Sequence, residues 1–283
     1  MYDNNKYGGR NQPPQYPQQP QQAPPHYGNY GPVPQAQPYP THAQPYGDPN
    51  LLYADQRYEG DLADPAIAAF AKRVYGYFAG ALATATVAST AGVFATEHFL
   101  ATQNYSALGT MRITALVLYF ASFLAVVFMR KSHSPLKTGL LFVFATTCGV
   151  MIAPMLTFFL AEGMGMSIIF AFGIATVVFG GLSVYVLATG KDFRGLGGYL
   201  FAGLILALGL ILLNIFVPFP DAISRLVMAG ILILFVGYTL YDTSKVTRDY
   251  YYRNDAAGAA LMLFYDFFIL FWYILQILGA SRR

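Results

Sequence analysis

The chain has 283 residues, of which 55% are hydrophobic and 11% charged, with a formal net charge of +3. Soluble domains carry about 25% charged residues, and here the charges are bunched, with long stretches that have none. This excludes an ordinary soluble domain and points to a membrane protein, and the small net charge gives no support for a nucleic-acid partner.

Residues 1–64 differ in kind from the rest of the chain. Residues 1–50 hold twelve prolines, nine glutamines and seven tyrosines. With almost no aliphatic side chain to bury, such a segment cannot offset its ordering entropy, and a disordered tail with local polyproline II character is expected. It reads either as a partner-binding tail or as a solvated extension. It lacks the apolar region of a signal peptide, so the first span is expected to direct insertion. Asp64-Pro65 has the form of a helix start, an acidic N-cap followed by proline at the first helical position. Residues 65–283 are expected to form a seven-helix transmembrane domain.

A membrane-crossing helix needs about 20 apolar residues. Apolar runs cover residues 74–96, 113–129, 138–160, 167–188, 196–217, 226–241 and 256–280. The sixth is short unless Asp242 and its neighbours belong to it. Strands of a membrane barrel are about 10 residues long and alternate strictly, whereas these runs are continuous and longer. The fold class expected is therefore an all-α membrane protein, a seven-helix bundle behind a disordered tail. Short loops make neighbouring helices antiparallel. Gly76 and Gly80 form a GxxxG pair in the first span, a pattern that permits close helix contact. The lone cysteine, Cys148, allows no intrachain disulfide and reads as a small buried residue.

Lysine and arginine counts set the orientation. Lys72 and Arg73 precede the first span, and Arg130, Lys131 and Lys137 follow the second. Lys191 and Arg194 follow the fourth, and Lys245, Arg248 and Arg253 follow the sixth. The alternate loops hold only Arg112 and Arg225. The N-terminus is thus expected in the cytoplasm and the C-terminus outside, with Arg282 and Arg283 opposing the second placement. A bacterial inner membrane suits the pattern.

Acidic residues are nearly absent from the spans. Asp192, Asp221, Asp249 and Asp255 read as loop residues, Asp242 is borderline, and Asp266 lies within the last span. An ionisable group at membrane depth is costly and marks an ion or proton pathway by default. With the last hairpin turning near Asn254, Asp242 lies twelve residues before the turn and Asp266 twelve after it. At a rise of about 1.5 Å per residue the two reach similar depth and can face each other. Two carboxylates in contact cannot both ionise cheaply, so such a pair shares a proton and titrates as a sensor must. Their oxygens also suit a hard cation such as Ca2+, but two are too few for a tight cage, so binding would be weak and transient. The plainer readings stand beside this. Asp242 pairs with the helix-end cations Lys245 and Arg248, Asp266 hydrogen-bonds a neighbouring hydroxyl, and Arg130 is an ordinary positive-inside residue. No HExxH, GxSxG, P-loop or CxxC is present, so neither an enzyme nor a tightly bound cofactor is expected.

Several motifs together resemble the Bax inhibitor-1 family of small membrane proteins. They are Arg73-Val74-Tyr75 before the first span, Gly149 to Leu156 with Ala153-Pro154 in the third, and Gly190-Lys191-Asp192-Phe193 before Leu196-Gly197-Gly198-Tyr199 at the fifth. Tyr241-Asp242-Thr243 follows in the sixth, then Tyr265-Asp266-Phe267 and Ile277-Leu278-Gly279 in the seventh. The resemblance covers roughly residues 65–280. It implies a central last helix wrapped by the others, and a pH-sensitive cation leak, chiefly for Ca2+, gated by an aspartate dyad at Asp242 and Asp266. Arg130, in Phe128-Met129-Arg130, matches a family arginine that latches onto the dyad. Tyr119 stands where some bacterial members carry a glutamate. The family also includes regulators of a membrane protease and suppressors of cell death, so the alternative implied is a membrane scaffold or regulator without channel activity. The partners expected are thus the lipid bilayer, Ca2+ and H+, and in the alternative a membrane protease.

Overall fold

The computed structural model describes residues 65–129, 135–251 and 253–280. The tail over residues 1–64 and the proposed latch Arg130 lie outside them. Among the described residues, seven helices are long and apolar enough to cross a membrane: α1 (Pro65–Ala101), α2 (Tyr105–Phe128), α3 (Pro135–Ala161), α4 (Gly165–Thr189), α5 (Gly197–Phe216), α6 (Asp221–Lys245) and α7 (Ala256–Ala280). No strand occurs among the described residues. The chain is a multi-pass membrane protein.

Helix α1 begins at Pro65, as the proline at a first helical position requires. Its 37 residues extend for about 55 Å, beyond the hydrocarbon core of about 30 Å. Helix α2 starts eight residues before the apolar run does, because Asn104 caps it: the Asn104 side chain accepts from the Ala107 amide at 3.0 Å. Arg112 therefore lies inside the helix and not in a loop. Helix α6 includes Asp242 and passes into a π-helical turn at Val246–Tyr250, so Asp249, expected in a loop, is helical. The chain reverses at Asn254, which adopts φ 48, a left-handed conformation that asparagine tolerates.

Helices α1 and α3 pack through small residues. A Cβ added at Gly149 would strike the Ala85 carbonyl and the Ser89 amide of α1, and one at Gly92 would lie 2.6 Å from the Ala153 Cβ. Close approach therefore rests on Gly92, Gly149 and Ala153. Of the GxxxG pair, Gly80 meets the Phe142 ring, while Gly76 faces open space.

The last helix is central, as the resemblance implies. Helices α1, α3, α4 and α6 pack directly on α7, whereas α5 packs on α6, and α2 touches α7 through Phe123 and Tyr265. The first half of α7, including Ala256 to Leu261, Leu263 and Phe264, is buried on every face. Its small residues make room for the surrounding helices. Cys148 is fully buried and unpaired in α3.

One end of the bundle, termed proximal, gathers the starts of α1, α3 and α7 and the end of α6. The opposite end is termed distal. The proximal end is laced by polar contacts. Arg73 donates to Asn254 Oδ1 at 2.8 Å. Lys137 Nζ donates to Asp255 Oδ2 at 2.6 Å, with both side chains buried. Asp255 Oδ1 in turn accepts from the Gly258 amide at 2.9 Å, capping α7.

Candidate functional site

Helix α6 carries Asp242 between Thr239 and Thr243, all buried. Helix α7 carries Asp266, 2% exposed, on its buried face beside Phe267. Because α6 packs directly on α7, the two carboxylates come within range of each other's charge, and Tyr238 lies within range of both. The hairpin geometry expected from the spacing about Asn254 therefore brings the two acids to a common neighbourhood.

The hydrogen-bonding of this pair is incomplete. Asp266 Oδ2 is buried with no hydrogen-bond partner, so the reading in which Asp266 serves only to bond a hydroxyl leaves one oxygen unexplained. Such a group is costly to keep. Among the described residues, the cation nearest Asp242 is Lys245, with Nζ 3.7 Å from Asp242 Oδ1. That distance is an ion pair but too long for a hydrogen bond. The Lys245 ammonium also lies 4.7 Å from the Tyr241 ring centre and 5.5 Å from that of Tyr250, so aromatic faces help hold it away from a tight grip on the acid. Among the described residues, no three His, Cys, Asp or Glu side chains cluster as a metal site.

Arg248, the other cation considered for Asp242, is used elsewhere. It donates to the Gly190 carbonyl at 2.7 Å and the Ser244 carbonyl at 3.3 Å, and lies 3.8 Å from Asp192. Arg194 completes this proximal network, pairing with Asp192 at 2.8 Å and with Asp249 at 2.7 Å. The Phe193 amide donates to Ser244 Oγ at 3.1 Å. The loop between α4 and α5 is thereby strapped across the π-helical turn that follows Asp242. Arg194 holds the Asp192 carboxyl below the usual range, chiefly by hydrogen bonding and against the opposing effect of burial.

Two further features had no local signal in the sequence. Lys137 and Asp255 are 118 positions apart, and their pairing emerges only when α3 docks on α7. Tyr75, Ser183 and Thr243 bring hydroxyls together from α1, α4 and α6. Ser183 and Thr243 are 3.4 Å apart, and the buried Tyr75 hydroxyl beside them forms no well-made hydrogen bond. Tyr119 packs its ring on Phe144 and turns its hydroxyl toward Tyr265.

The family model described as "Inhibitor of apoptosis-promoting Bax1" matches residues 67–283. The chain belongs to the Bax inhibitor-1 family. Relatives of this Bax inhibitor-1 protein include an uncharacterized protein of Campylobacter jejuni, 36% identical over 75% of this chain and 88% of its own. An uncharacterized protein of Helicobacter pylori is 33% identical over 77% of this chain and 89% of its own. The Escherichia coli protein named "Modulator of FtsH protease YccA" is 31% identical over 59% of this chain and 76% of its own.

Proposed function

We propose that this Bax inhibitor-1 protein is a pH-sensitive cation leak of a bacterial inner membrane, with its N-terminus in the cytoplasm and Asp242 and Asp266 as its proton- and Ca2+-binding groups. The observation that carries this reading is the pair of buried carboxylates on α6 and α7, one oxygen of which has no partner. An unsatisfied acid at membrane depth is retained against its cost where it serves a pathway. The two share a proton when free of other cations and attract a divalent ion when both are ionised. Two tethered cations compete with that ion. Lys245 Nζ lies 3.7 Å from Asp242 Oδ1, and Arg130 is assigned as a latch on the family resemblance alone.

Protonation weakens the hold on the ion and on the tethered cation together. Ca2+ flux into liposomes should therefore change between about pH 5 and pH 8 in the wild type and flatten in Asp242→Asn and Asp266→Asn. Equal pH-dependent flux in all three proteins would remove both acids from the mechanism.

A second reading is supported by the relative named as a modulator of a protease. In it, the chain regulates a membrane protease through residues 1–64 and conducts nothing. Co-purification of a membrane protease with the full chain but not with a chain lacking residues 1–64, together with no flux from either, would favour it over the leak.

A further inference from the structure

The distal end of the bundle opens into a crevice of about 670 Å³ between the ends of α3, α6 and α7. Its apolar lining includes Met155 and Phe159 of α3 and Met228 of α6, and its polar lining includes Asp221, Arg225 and Gln276. Asp221 and Arg225 are four residues apart, so they lie on one face of α6. Both are exposed, and among the described residues neither enters an ion pair. One negative and one positive group thus stand side by side in the same hollow, each with its hydrogen-bonding capacity unspent. Trp272, the only tryptophan of the chain, lines the same space. Tryptophan is enriched where lipid headgroups meet the hydrocarbon. The crevice lies where three membrane-crossing helices end, which is the depth of those headgroups.

We infer that this crevice is a binding site for the headgroup of a zwitterionic aminophospholipid. The guanidinium of Arg225 donates to the phosphate, a match of fork to oxygens that favours arginine. The carboxylate of Asp221 accepts from the primary ammonium one ethylene unit away. The glycerol and upper acyl carbons lie against Met155, Phe159 and Met228. A quaternary ammonium has no N–H to give Asp221, and an anionic headgroup with no cation leaves Asp221 facing another negative charge. The site therefore discriminates among lipids and does not merely contact them. It is independent of the proposed ion pathway, because Asp221 and Asp242 stand at opposite ends of α6.

Native mass spectrometry of the full chain, released from detergent with equimolar phosphatidylethanolamine, phosphatidylcholine and phosphatidylglycerol, tests this. The wild type should retain phosphatidylethanolamine preferentially. Asp221→Asn should reduce that retention roughly tenfold, the worth of one charge-assisted hydrogen bond, and leave phosphatidylglycerol unaffected. Arg225→Gln should reduce all three. Ser224→Trp, which fills the crevice without removing either charge, should also displace the lipid. Equal retention of the three lipids by the wild type, or unchanged phosphatidylethanolamine retention in Asp221→Asn, would overturn the assignment.

Discussion

Helix α7 is served by two buried acids in opposite ways. Asp255, at its start, has both oxygens occupied, one by Lys137 and one by the Gly258 amide. Asp266, about three turns further on, has an unpartnered oxygen, and its strongest charged neighbour is another acid. The two differ little in burial, at 7% and 2% exposed, so burial alone does not separate them. Partnership does. A buried acid with matched partners is a joint of the fold. A buried acid left short of partners costs stability, and its retention calls for another reason. The contrast puts the structural joint at the mouth of α7 and the candidate ion site in its middle.

The sharpest way to break that contrast is to remove Lys137. Lys137→Met leaves Asp255 buried without its cation, and such a change costs about 3–5 kcal/mol. The melting temperature of the purified protein in detergent should fall accordingly. Replacing both partners, in Lys137→Met with Asp255→Leu, should recover much of the loss, because a buried pair exchanged for apolar groups of similar size is often neutral. A single variant as stable as the wild type would show that Asp255 is not a joint of the fold.

The opposite outcome is expected at Asp266. Asp266→Asn replaces an unsatisfied acid with a neutral amide of the same shape, so stability should hold or rise by up to about 1 kcal/mol. The same thermal measurement checks this, and it separates the two acids by sign: substitution at the joint destabilises, substitution at the candidate site does not. A large loss at Asp266 would place it with Asp255 as a packing residue.

These two acids were not equally legible in the sequence. Asp266 stands out in a charge-free run, and its spacing from Asp242 about Asn254 anticipates their meeting, because a hairpin of two helices leaves little freedom in depth. The seven helices were legible for the same reason: a bilayer demands long apolar segments and shows them in composition. Asp255 looked like a loop residue, since its partner lies on α3 and helix docking has no local pattern. The extension of α2 through Arg112 depended on the Asn104 cap, and an apolar run says nothing of a helix that continues into polar surroundings. The GxxxG pair Gly76 and Gly80 suggests a close helix contact without naming the partner; Gly80 meets Phe142 of α3, Gly76 meets nothing, and the tightest approach of α1 to α3 is at Gly92 and Gly149. A glycine pattern marks where backbones can approach but not which neighbour does. Lys245 was visible as the residue one turn after Asp242, whereas the diversion of Arg248 to the Gly190 carbonyl required the loop to fold back.

A third acid sharpens the comparison from the weak side. Asp192 is paired like Asp255 but lies in the exposed proximal loop, where water screens its ion pairs with Arg194 and Arg248. Exposed pairs contribute about 0.2–1 kcal/mol, so Asp192→Asn should lower thermal stability by no more than that at neutral pH. The sign of its pH dependence is set by Arg194, which holds the Asp192 carboxyl below its ordinary value. A depressed folded-state pKa gives stability that is present above the unfolded value of about 3.9 and is lost as pH falls through the lower folded value. The difference between Asp192→Asn and the wild type should therefore vanish in strongly acidic solution and persist unchanged through the neutral range. A pH-dependent flux that survives in Asp192→Asn between about pH 5 and pH 8 then does not originate in the Asp192 carboxylate.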